Sequence, residues 1–105
     1  MQQVHFCSGS VFVTGDEIAM ALLRYVQAVA DARQSDVVTV PIVSRSGALS
    51  TVTLMVNSVS QISADHYDHS GPDLQDDAFV TRMHALTKNL TSSAVWLGED
   101  TSSPA

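Results

Sequence analysis

Two runs rich in β-branched residues, 37–43 and 51–56, bracket Arg45-Ser46-Gly47, and no other feature restricts the fold as much. Such residues favour extended backbone, and glycine in a short connection permits a positive φ, so the spacing predicts a β-hairpin. In the second run Val52, Leu54 and Val56 alternate with Thr51, Thr53, Met55 and Asn57, giving one apolar and one mixed face. A sheet of this kind needs helical cover on one side only. Pro41 interrupts the first run, and without an amide hydrogen it belongs on a sheet edge or at a bulge, so an edge strand is expected.

Two amphipathic stretches supply the cover. Thr14-Gly15-Asp16-Glu17 reads as a helix start, with the Thr14 hydroxyl as cap and the acids facing the positive dipole end. Ile18, Leu22, Tyr25, Val26 and Val29 then recur at helical spacing, and the helix is expected to end near 33–35. Leu23 and Ala30 widen the apolar arc and call for a second covering surface, either a partner subunit or a folded-over loop. Asp76 and Asp77 lead a second helix whose Phe79, Met83, Leu86 and Leu90 share a stripe, with Lys88 towards its negative end.

The remaining segments are less regular. Over 4–13, Val4 and Phe6 share one face whereas Val11 and Val13 share the other, so a bulge or tight turn is expected at Ser8-Gly9-Ser10, with the glycine taking the unusual angles. Residues 59–75 lack periodicity and read as a long exposed loop. Ala94-Val95-Trp96-Leu97 is long enough for a brief final strand, or for a coil whose Trp96 plugs the core edge. Small polar residues over 99–105 read as a disordered tail after a single α+β domain over 1–98. The order predicts a two-layer sandwich of βαββα(β), ferredoxin-like type, with both helices on one face of a mainly antiparallel sheet.

Composition excludes several functions. Eleven acids against five scattered bases give a net charge of −6, so nucleic acid and anionic membrane surfaces are poor partners. No basic leader with a long apolar run opens the chain, which makes the cytoplasm the expected location. Asn89-Leu90-Thr91 fits a glycosylation pattern that has no weight without such a leader. The single Cys7 forms no internal disulfide and reads as a small buried hydrophobe.

Candidate chemistry centres on Asp65, His66, Asp68 and His69, whose imidazoles and carboxylates suit a divalent metal such as Zn²⁺, although a solvated acidic loop is the plainer reading. His5, His84, Tyr25, Tyr67 and Cys7 are candidates for acid-base or nucleophilic work, but they form no catalytic spacing. Ser8-Gly9-Ser10 and Thr14-Gly15 lack the lysine of a phosphate-binding loop, and no other cofactor is implied. The expectation is therefore a non-catalytic interaction or regulatory module acting as a homodimer, through paired sheet faces or paired edges. Two alternatives stand beside it: a small enzyme with a pocket between sheet face and dimer partner, and a metal- or ligand-binding module built on 65–77.

Overall fold

A computed structural model describes residues 1–102, with side chains described as far as Thr91. The chain runs β1 (Gln2–Phe6), β2 (Ser10–Thr14), α1 (Asp16–Asp31), β3 (Asp36–Val43), β4 (Leu49–Val56), β5 (Ile62–His66) and α2 (Asp77–Ser102). The five strands form one sheet in the order β4-β3-β2-β1-β5, with every neighbouring pair antiparallel. This is an α+β fold compatible with a two-layer sandwich, but the strand order is not ferredoxin-like. The difference begins at 4–13, where the slip in alternation is a hairpin turn between two strands rather than a bulge in one.

In that turn the positive φ, 54°, belongs to Cys7 and not to Gly9. The Cys7 amide donates to the Gln61 carbonyl at 2.7 Å, which holds the residue in place, and its side chain is exposed rather than buried. At the β3–β4 turn the expected glycine does take the left-handed conformation: Gly47 has φ 86°, and its amide donates to the Ser44 carbonyl.

Alternation sorts the sheet into two faces. Val4, Phe6, Phe12, Val38, Val40, Leu54 and Val56 point inward and form a single core with the buried side of α1 and with Phe79 and Met83 of α2. α2 packs along α1, with Val80 and His84 beside Met20, Ala21 and Arg24, while Leu23 and Ala30 are half-buried. Tyr25 is buried in α1, with its hydroxyl donating to the Asp36 carboxylate at the start of β3. Burial, followed by that hydrogen bond, pushes the phenol up to about 12.

α1 begins without a side-chain cap from its own flank. Thr14, expected to supply one, is fully buried and donates to the Pro41 carbonyl at 2.7 Å. The Asp16 amide is taken instead by the Asp73 carboxylate at 3.1 Å, from the loop before α2. Gly15 is required by the same docking, since a Cβ there would lie 1.8 Å from the Leu74 carbonyl oxygen. At its other end α1 closes with Arg33 at φ 55°, where the Arg33 and Gln34 amides reach back to Ala30 and Val29.

Pro41 does not mark a sheet edge, because β3 lies between β4 and β2. Its tolerance follows from the direction of its backbone groups. The Ser44 amide donates to the Ala48 carbonyl, so even-numbered residues of β3 and β4 bond each other. The backbone of Pro41 therefore faces β2, where its carbonyl accepts the Thr14 hydroxyl and the only β2–β3 pair is Val13 with Val43. No β3–β4 bond is lost.

The expected loop over 59–75 contains β5, which pairs with β1 from Ile62 opposite Phe6 to His66 opposite Gln2. The segment 94–97 is helical backbone within α2 rather than a final strand. The expected tail over 99–105 overlaps α2 as far as Ser102, and residues 103–105 lie outside the described residues.

Candidate functional site: the open face and edge of the β3–β4 ribbon

The helices leave the outer sheet face uncovered. On β3 and β4 it presents Val37, Thr39, Pro41 and Val43 beside Met55, Thr53, Thr51 and Leu49. Leu49 is 77% exposed, Met55 69% and Val37 60%, values that place whole apolar side chains in water. Thr39 and Thr53 hydroxyls meet across the strands at 3.1 Å and give this face a polar centre between apolar ends.

β4 is also a terminal strand of the sheet. Since its even residues bond β3, the amides and carbonyls of Leu49, Thr51, Thr53 and Met55 point away from the sheet. Over eight residues, LSTVTLMV, the strand carries neither a charge nor a proline. The devices that usually blunt an exposed edge are therefore missing from it.

The other terminal strand, β5, is shorter, with five residues, and carries Asp65 and His66. Asp65 lies on the outer face 3.3 Å from His5, and the His66 ring meets Asp68 at 3.2 Å. Asp65 and His66, being adjacent in a strand, project from opposite faces. The four residues read as possible metal ligands do not converge: His66 pairs with Asp68, Asp65 pairs with His5, and His69 turns towards Gly71. Among the described residues no group of three or more potential ligands is placed to hold a metal.

His69 instead helps line an open cavity of about 520 Å³ at the turn end of the outer face. Val11, Val13 and Val43 line it together with Tyr67, His69 and Arg45. No acid lines it, and Arg45 makes no ion pair among the described residues. His84 lies apart, beside Arg24 and Met20 in a shallower hollow of about 380 Å³ between the helices. His5, His84, Tyr25, Tyr67 and Cys7 are thus spread over separate parts of the molecule, and no nucleophile-base pair forms among them.

At the start of β1, next to Tyr67, the Met1 ammonium lies 2.9 Å from Asp16 and 3.2 Å from Asp73. The hydrogen bond to Asp16 raises the ammonium above its ordinary 8.0, and the same bond lowers Asp16 below its ordinary 3.8. Sequence reasoning missed this junction because it joins residues far apart in the chain. The β4 edge was equally hidden, since which strand ends a sheet is set by tertiary pairing.

Comparison with protein-family models, curated proteins and solved structures returns no match for this chain. No helix among the described residues is long and apolar enough to cross a membrane.

Proposed function

We propose that the protein is a non-catalytic interaction or regulatory module that acts as a homodimer through the exposed side of its β3–β4 ribbon. The observation that carries this reading is β4: an uncharged eight-residue terminal strand with Leu49 and Met55 standing in water. An unpaired strand of this length offers a row of backbone donors and acceptors, and an apolar fringe adds area to whatever pairs with it. The dispersal of the histidines, tyrosines and Cys7 supports a role without turnover. Sedimentation across a concentration series tests the proposal: a reversible rise to twice the chain mass is expected, and a monomer throughout overturns it.

A second reading, a small-ligand module, draws on the cavity bounded by Tyr67, His69 and Arg45. Its size falls within the range of roughly 300–1,000 Å³ usual for such sites, and valines lining a cavity with a guanidinium that makes no ion pair among the described residues suit an apolar carboxylate. Titration with octanoate, followed through the amide resonances of Val43 and His69, decides it. Saturable shifts that vanish in Arg45→Ala are expected, and no saturable shift removes the reading.

A further inference from the structure

A two-fold dimer demands a surface complementary to itself, because each residue of one copy meets its symmetry counterpart in the other. The outward row of β4 reads Leu49, Thr51, Thr53, Met55, and it is symmetrical in character about Val52. Apolar residues close both ends and threonines fill the middle. Two such strands laid antiparallel with their centres aligned place Leu49 against Met55 of the second copy and Thr51 against Thr53. Both highly exposed apolar side chains of the strand are then paired, and all four outward backbone residues bond the opposite copy.

We infer that two copies join edge to edge along β4, antiparallel, with Val52 facing its own counterpart across the two-fold axis. The inference rests on the homodimer reading and adds the strand and register to it. On the inner face Val52 is half-buried and already packs on the core, so its approach to a second Val52 continues that core across the junction. A slip by two residues would set Leu49 or Met55 opposite threonine and leave other apolar side chains in water.

Charge separates β4 from the competing edge. The chain carries −6 overall, so two copies repel each other unless they meet where charge is sparse. β4 has none, whereas pairing along β5 would bring the Asp65 carboxylates of both copies to one junction.

Cysteine cross-linking in a Cys7→Ser background tests the register. In an antiparallel pair the residues that do not exchange hydrogen bonds lie about 4.5 Å apart at Cα, within the roughly 4.4–6.8 Å that a disulfide spans. Val52 is such a residue in the proposed pairing. Mild oxidation of Val52→Cys is expected to shift most of the chain to twice its mass, and mixed Thr51→Cys and Thr53→Cys chains should cross-link to each other. Thr51→Cys alone should stay single, because its counterpart sits on the diagonal at about 7–8 Å. A solution dimer that fails to link at Val52, or that links through Thr51→Cys alone, overturns the register and leaves the homodimer standing. A monomer at every concentration overturns both.

Discussion

Strands β4 and β5 terminate the same sheet, but the chain treats them differently. β5 is short, carries Asp65 and His66, and runs into a loop whose Asp73 and Leu74 are anchored at the start of α1. β4 is longer, uncharged and fringed by Leu49 and Met55. Exposed edges invite pairing with other chains, and proteins spend charge or brevity to prevent it. One edge here has both protections and the other has neither, which is why the proposed homodimer is built on β4 and not on β5.

The largest effect is expected at the anchored end. Gly15→Ala would drive a methyl group into the Leu74 carbonyl, and backbone cannot yield as a flexible side chain does. A loss of about 3 kcal/mol is expected from urea unfolding, with dimer dissociation unchanged wherever the protein remains folded. A dimer lost together with this anchor would show that the two ends of the sheet are not independent.

Thr53→Pro addresses the other edge. The Thr53 amide points away from β3, so proline there spares the β3–β4 ladder while removing one outward donor from each copy. Two lost bonds at about 0.5–1.5 kcal/mol each weaken dimerisation by roughly fivefold to 150-fold, measurable by sedimentation. Met55→Asp should act in the same direction by placing charge at both ends of the junction. Its effect on the monomer should stay within about 0.5 kcal/mol because the side chain is already exposed. Asp65→Asn on β5 is the matching control, with the solution mass expected to be unchanged.

Much of this architecture could be read from spacing alone. The hairpin over 36–56 follows from alternation around Gly47, and both helices follow from apolar residues at helical intervals behind acidic starts. β5 escaped because only Ile62 and Ala64 face the core, while Ser63, Asp65 and His66 resemble loop residues. The helical course of 94–97 escaped because a four-residue apolar run suits strand and helix equally. Pro41 suggests an edge strand by its missing amide hydrogen, but β3 lies inside the sheet, and the proline is tolerated because its backbone faces β2, which meets β3 through the Val13–Val43 pair. Asp65, His66, Asp68 and His69 are conspicuous by residue type, yet strand alternation separates Asp65 from His66, and of the four only His66 and Asp68 meet. The β4 edge was made visible only by the strand order.

The smallest effect concerns pH. The Met1 ammonium is raised in the fold, so its contribution is complete below 8.0 and is lost as pH rises through the folded value. Asp16 is lowered, so its contribution is complete above 3.8 and is lost as pH falls through the folded value. Urea midpoints should therefore show a plateau between these limits. Asp16→Asn should shallow the slope on both sides without affecting dimerisation through β4.

Amide hydrogen exchange at β4 tests the central claim most directly, because the strand's two sets of amides report different partners. If a second copy pairs with this edge, the outward amides of Thr51, Thr53 and Met55 exchange slowly at high protein concentration and faster on dilution, while the inward amides of Val52 and Leu54 stay protected throughout. Fast exchange of the outward set at every concentration, with the inward set still protected, would mean that the edge faces water and that the homodimer built on it does not form.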